Sequence, residues 1–94
     1  MTDTQVTNNV ERSRFEIHVE DGRLAGFAEY VERNGSRDFV HTVVRDEFEG
    51  QGIGGRLARA ALDQTREDGI GVVATCPFIK GWIDKHPDYQ DLVV

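Results

Sequence analysis

The sequence DFVHTVVRDEFEGQGIGGRLARAALD, residues 38–63, joins two different hydrophobic patterns through a run of glycines. Its first eight residues are rich in β-branched and aromatic side chains with little alternation, which predicts a strand covered on both faces. From Ile53 onward, apolar residues recur at i, i+4 spacing and predict a helix that Gly69 ends. Between the two, four of the six residues from Gly50 to Gly55 are glycine. The stretch therefore predicts a strand, a glycine-rich loop and a helix, in that order.

The residues before this stretch predict two more strands. Residues 14–19 alternate apolar and polar side chains, and residues 23–32 follow a turn signal at Asp21-Gly22. Asn34-Gly35 supplies a second hairpin turn, because both residues tolerate positive φ. Together with the strand at 38–45, these segments form an antiparallel meander of three strands.

A βαβ unit completes the meander. Residues 70–75 are a short β-branched run bounded by Gly69 and Pro77, which predicts a fourth strand. Because strand–helix–strand crossovers are right-handed, this strand is expected to lie parallel to the third, with the helix over one face of the sheet. A last helix is predicted from Phe78 to about Lys85. The fold class is thus α/β, or α+β by some schemes: a three-stranded antiparallel meander, a βαβ unit and a C-terminal helix.

The chain is expected to form one domain. Its 94 residues are too few to divide a core between two units, and 38% apolar residues suffice for one sheet with one or two helices. Residues 1–11 are polar and predict a flexible N-terminal tail without function, which leaves residues 12–94 as the domain. We expect this domain to be a monomer.

Charge and composition disfavour several functions. Seventeen acidic against eleven basic side chains give a net charge of -6, which disfavours nucleic acid as a partner. Cys76 is the only cysteine, and the three histidines lack the spacing of a zinc-binding helix, so we predict no disulfide and no metal site. The sequence has neither a signal peptide nor an apolar run that could span a bilayer. It therefore predicts a cytoplasmic protein that does not bind membranes.

A glycine run at the start of a helix is typical of an anion-binding loop. Helix N-termini present unpaired N–H groups and the positive end of a dipole, and glycines let a phosphate approach the backbone closely. The alternative is a flexible turn that uses glycine only for positive φ. Gly54-Gly55-Arg56 lacks the lysine and the hydroxyl of a P-loop, and a dinucleotide-binding loop would follow the first strand rather than the third. These two nucleotide-binding classes are therefore disfavoured.

In this setting the chain resembles the GNAT superfamily of N-acetyltransferases, and more narrowly its very small bacterial and plant members. The resemblance spans residues 15–94 and rests on several sequence blocks in the same order. These blocks are His41-Thr42, Glu49-Gly-Gln-Gly-Ile-Gly54, Ala60-Ala61-Leu62-Asp63, Cys76-Pro77-Phe78-Ile79 and His86-Pro87-Asp88-Tyr89.

The resemblance implies that the loop binds the pyrophosphate of coenzyme A and that the preceding strand pairs with the acyl-pantetheine arm. The implied cofactor-binding residues are Thr42, Val43, Val44, Gly50, Gln51, Gly52, Ile53, Gly54, Gly55 and Arg56. Glu49 stands where the superfamily usually has Gln or Arg, so backbone amides must do more of the binding. Arg56 either supplies a charged fork to phosphate or pairs with neighbouring carboxylates. Val43 stands where some relatives have an acidic residue, which argues against a carboxylate base there.

Two residues are candidates for the chemistry of acyl transfer. Cys76 precedes Pro77, a favoured first helical residue, so Cys76 is the predicted N-cap of the last helix. A thiol there lies at the positive end of a helix dipole and is either the nucleophile that accepts the acetyl group, a weak donor, or a buried inert cysteine. His41 is predicted to share a sheet face with Phe39 and Val43, and it is either a general base or a structural histidine.

The sequence thus predicts an enzyme that uses acetyl-coenzyme A as cosubstrate to acetylate an amine of a small molecule or a protein. Transfer either passes through Cys76 or goes directly to the amine. The alternative prediction is a non-catalytic module on the same scaffold, which binds coenzyme A or another protein.

Overall fold

The computed structural model describes residues 3–94, which form a five-stranded sheet in the order β1-β2-β3-β4-β5. The strands are β1 (Thr4–Asn9), β2 (Arg14–Val19), β3 (Leu24–Arg33), β4 (Ser36–Val44) and β5 (Gly71–Ala74). The helices are α1 (Ile53–Glu67) and α2 (Pro77–Asp84), with 3₁₀ segments at Asp46–Phe48 and Pro87–Leu92. The first four strands are antiparallel, and β5 is parallel to β4. The predicted mixed α/β fold with a βαβ unit is confirmed.

Local turn and cap signals are confirmed where the sequence predicted them. At the hairpin between β3 and β4, Asn34 has a φ of 52° and Gly35 a φ of 81°. Helix α1 ends before Gly69, whose φ is 71°, and the Ile70 amide donates to the Thr65 carbonyl oxygen at 3.2 Å. This bond back across the last turn is the one expected when a left-handed glycine terminates a helix.

The prediction of a flexible tail over residues 1–11 is wrong for residues 4–9, which form β1 and pair with β2. Residues 1–2 of that predicted tail lie outside the described residues. Backbone pairing holds β1, and Asn8 adds a side-chain bond by accepting from the Tyr30 hydroxyl at 2.7 Å. The strand contains one apolar residue, Val6, which packs against the core from its half-buried position. The meander therefore has four strands instead of three.

Helix α1 contacts all five strands and covers one face of the sheet. Its apolar face buries Ile53, Leu57 and Leu62 against Phe15 and Phe39. Removing such side chains from water is the main favourable contribution to folding. No helix within residues 3–94 combines the length and apolar character needed to cross a membrane.

A β-bulge at Val40 changes which face each residue of β4 occupies. Glu29 pairs with His41 while its neighbour Tyr30 pairs with Phe39, so Val40 is an extra residue on β4. A bulge of this kind shifts the alternation by one residue. His41 consequently lies on the face opposite Phe39, and the prediction that the two share a face is wrong. The prediction that β4 is covered on both faces is wrong at His41, which is exposed.

Candidate functional site

The loop between β4 and α1 adopts a backbone conformation that favours glycine. Gly50 has a φ of 79° and Gly52 a φ of 72°, and Gly52 is the N-cap of α1. Apart from the chain neighbours of each glycine, no described residue places an atom within 4 Å of a Cβ built on either one, so this side of the loop is open. The first helical bond runs from the Arg56 amide to the Gly52 carbonyl at 3.1 Å. The amides just before Arg56 therefore lack an intrahelical acceptor, and an anion can approach them.

The other two glycines of the run let α1 and α2 pack closely. A Cβ on Gly54 would lie 2.8 Å from Cζ of Phe78 and 3.5 Å from Cγ2 of Val44. A Cβ on Gly55 would lie 3.7 Å from Nε1 of Trp82. Phe78 and Trp82 are four residues apart on α2, so both point at the first turn of α1. Sequence reasoning assigned all four glycines to phosphate and missed this packing role, although the i, i+4 aromatic pair was visible.

The remaining predicted loop residues differ in what they expose. Ile53 is 1% exposed and anchors α1 in the core, so only its backbone is available to a ligand. Gln51 and Glu49 are exposed, and Arg56 is half-buried in the first helical turn. The expectation that backbone amides do most of the phosphate binding stays a prediction.

Strands β4 and β5 diverge next to this loop. Strand β5 pairs with Ser36–Phe39 of β4, and the Cys76 amide adds one more bond to the Phe39 carbonyl at 2.8 Å. Beyond that point β4 continues to Val44 while the chain after Cys76 turns into α2. The divergence leaves the edge of β4 from Val40 to Val44 without β5 as a pairing partner, and we call this gap between the two strands the slot. It lies at the carboxyl ends of two parallel strands, where ligands bind in open α/β sheets.

Cys76 lies at the base of this slot. It is the N-cap of α2, with Pro77 as the first helical residue, which confirms the predicted position. Its Sγ is 3.3 Å from Oγ1 of Thr42, and the residue is 4% exposed. Thr42 is thus brought against the thiol through its side chain, whereas the sequence had implied only a strand contact with the cofactor. The pairing of these two residues, 34 positions apart, depends on the parallel alignment of β4 and β5.

The structure does not bring His41 to the thiol. His41 is exposed and sits across from Glu29 on the open face of the sheet. Thr42, the next residue, points to the helix-covered face and contacts Cys76. His41 and the Cys76 thiol therefore lie on opposite sides of β4, and a role for His41 as general base stays a prediction.

Tyr89 connects the C-terminal 3₁₀ segment, Pro87–Leu92, to α1 through hydrogen bonds. Its hydroxyl donates to Oδ1 of Asp63 at 2.7 Å and accepts from Nη1 of Arg59 at 3.2 Å. Burial raises the pKa of Tyr89, and the hydrogen bond to the Asp63 carboxylate raises it further. Arg66 adds a 2.7 Å ion pair with Asp91. These bonds place the Tyr89 hydroxyl beside α1, between Arg59 and Asp63.

Comparison with known proteins places these features in a family. A sequence model described as GCN5-related N-acetyl-transferase matches residues 14–92. Protein NATD1 of Xenopus tropicalis is 31% identical over 85 residues, which cover 88% of this chain and 77% of that protein. Protein NATD1 of Mus musculus is 32% identical over 87 residues, which cover 88% and 76%.

A solved structure shares the fold. The solution NMR structure of a GCN5-like protein from Staphylococcus aureus, assigned to the N-acetyltransferases, superposes with a TM-score of 0.73 at 27% identity. The superposition covers 96% of this chain and 87% of the other. The family match over residues 14–92 and the shared architecture agree, and the chain belongs to the GCN5-related N-acetyltransferase family.

Proposed function

We propose that this protein binds acetyl-coenzyme A at the α1 N-terminus and transfers the acetyl group to an amine. The observation that carries the proposal is the open, glycine-lined end of α1 next to the slot between β4 and β5. The amides at the start of α1 would hold the pyrophosphate. The edge of β4 at Thr42–Val44, which extends past its pairing with β5, would hydrogen-bond the pantetheine arm and lead its thioester toward Cys76.

In the covalent route, Cys76 carries the acetyl group between donor and acceptor. The thiol loses its proton, Sγ attacks the thioester carbonyl, the carbon–sulfur bond to coenzyme A breaks, and the released thiolate takes up a proton. The neutral acceptor amine then attacks the acetyl carbon, the bond to Sγ breaks, and the amine's surplus proton returns to the Cys76 sulfur. In the direct route the neutral amine attacks the donor thioester itself, the carbon–sulfur bond to coenzyme A breaks, and the amine's surplus proton passes to the released thiolate. The Cys76 thiol is then a weak hydrogen-bond donor to the leaving sulfur.

Titration of acetyl-coenzyme A into ¹⁵N-labelled protein tests the binding step. We expect the amides of residues 43–56 to shift, because they include the proposed arm-binding strand and phosphate-binding loop. Gly52→Ala places a methyl group on the open side of the loop at a φ of 72° and is expected to weaken binding about tenfold.

The matched control for this variant is Gly35→Ala, which introduces the same strain at a φ of 81° in the distant β3–β4 hairpin. It should lower stability by about 1 kcal/mol and leave the affinity for acetyl-coenzyme A unchanged. No shift of residues 43–56 at millimolar ligand would contradict the proposed function.

Intact mass of the protein after incubation with acetyl-coenzyme A separates the two routes. An acetyl adduct that is absent in Cys76→Ala supports the covalent route. Full activity of Cys76→Ala would reject that route and leave direct transfer. Binding without turnover over a broad panel of amines would support the non-catalytic module instead.

A further inference from the structure

Arg59 presents an ordered cation at the surface of α1. Its guanidinium lies 5.3 Å from the ring centroid of Trp82 and 5.7 Å from that of Tyr89, and Nη1 donates to the Tyr89 hydroxyl at 3.2 Å. Within residues 3–94, no carboxylate oxygen forms an ion pair with Arg59, and the nearby Asp63 instead accepts from Tyr89. Two aromatic rings thus fix the side chain while its charge stays uncompensated by an ion pair.

The position of Arg59 relates it to the glycine-rich loop. It is one helical turn after Gly55, and the same Trp82 side chain approaches both residues. At a rise of 1.5 Å per residue, the Arg59 backbone is about 10 Å along the helix from Gly52. The guanidinium of an extended arginine side chain can lie closer to the loop than its backbone does. The charge therefore borders the proposed pyrophosphate site without belonging to the loop itself.

We propose that Arg59 binds the 3′-phosphate of coenzyme A and makes the site prefer coenzyme A over its 3′-dephospho form. The inference rests on the proposed function. In coenzyme A the pyrophosphate and the 3′-phosphate are attached to the same ribose, so a pyrophosphate held at the start of α1 leaves the second phosphate one sugar away. A guanidinium matches a phosphomonoester through parallel N–H donors.

The aromatic contacts make Arg59 suited to this role. An exposed arginine ordinarily loses side-chain entropy when it binds an anion, and that loss offsets part of the gain. Trp82 and Tyr89 already restrict the Arg59 side chain, so less freedom remains to be lost. A charge-assisted hydrogen bond to phosphate then corresponds to roughly a tenfold change in affinity.

Calorimetric titration of coenzyme A and of 3′-dephospho-coenzyme A into the wild type and Arg59→Gln tests the proposal. The wild type should bind coenzyme A about tenfold more tightly than the dephospho form. Arg59→Gln should lose that preference by weakening binding of coenzyme A alone, as in a double-mutant cycle. Trp82 is the only tryptophan, so a change in its emission on binding places the ligand beside α2.

Arg33→Gln is the matched control, since it removes the same charge from the hairpin between β3 and β4, where the side chain is 62% exposed. It should keep the full preference for coenzyme A. If the wild type binds the two ligands with equal affinity, the proposal is wrong although cofactor binding stands. The same holds if Arg59→Gln weakens the binding of both ligands by the same factor. Failure of both ligands to bind the wild type would overturn the proposed function as well.

Discussion

Replacing Arg37 with methionine is expected to lower the free energy of unfolding by about 2–3 kcal/mol. Arg37 comes from β4, and its side chain is only 4% exposed. It donates to three acceptors: Glu32 at 2.8 Å, Thr65 at 3.0 Å and Asp68 at 3.2 Å. These bonds connect the end of β3 and the last turn of α1 through one guanidinium, so its loss loosens both elements from β4.

The size of the effect follows from what methionine keeps and what it loses. Methionine retains apolar contact with Phe15 and Tyr30, whose ring centroids lie 5.4 Å and 4.8 Å from the guanidinium carbon. Glu32 is 52% exposed, so it regains water when the guanidinium is removed. This rehydration keeps the loss below that of a fully buried ion pair.

Urea unfolding followed by circular dichroism measures the change. The control is Lys80→Gln in α2, whose ion pair with Asp84 spans 3.5 Å between two exposed side chains. It should alter stability by less than about 0.5 kcal/mol. Equal effects of the two substitutions would show that the buried network contributes nothing beyond surface charge.

The elements that local chemistry determines were predictable from the sequence. Asn34-Gly35 takes positive φ at both positions, and Gly69 terminates α1, because few other residues adopt these conformations at low cost. Strand β1 was missed because its one apolar residue, Val6, gives almost no period-two signal. Its pairing with β2 is made by backbone hydrogen bonds, which do not depend on the type of side chain. A search for alternating apolar residues therefore cannot find such a strand.

The site was predictable as a region and less so as a set of contacts. The strand–glycine loop–helix order and the Cys76 N-cap follow from neighbouring residues and are found in the structure. The bulge at Val40 decides which face of the sheet His41 occupies. One extra residue in a valine-rich strand gives no recognisable sequence signal, so this face was not predictable. The contact between Thr42 and Cys76, and the support of Arg59 by Trp82, arise only when distant segments pack together.

Gly26→Ala is expected to destabilise the protein by about 3 kcal/mol. A Cβ on Gly26 would lie 2.5 Å from the carbonyl oxygen of Val43 and 3.3 Å from Cα of Val44. Both are backbone atoms of the paired strand, so no side chain can rotate away to relieve the clash. Strands β3 and β4 must separate locally instead, which strains the ladder at the centre of the sheet.

The control is Gly81→Ala in α2, where a Cβ meets no described atom within 4 Å apart from its chain neighbours and the nearby backbone of its own helix. The same substitution there should raise stability by about 1 kcal/mol, since alanine favours a helix interior over glycine. Urea unfolding of the two variants should therefore shift in opposite directions. Equal shifts would show that β3 and β4 separate without cost.

Gly26→Ala also tests the link between sheet packing and the proposed site. The atoms it displaces belong to Val43 and Val44, within the segment of β4 whose far edge we propose hydrogen-bonds the pantetheine arm. Acetyl-coenzyme A should therefore bind the variant more weakly, even under conditions where it is fully folded. On the proposed function, the absence of a side chain at Gly26 would serve both stability and ligand binding, because it lets β4 lie close to β3 and so fixes the position of the far edge of β4 beside Cys76.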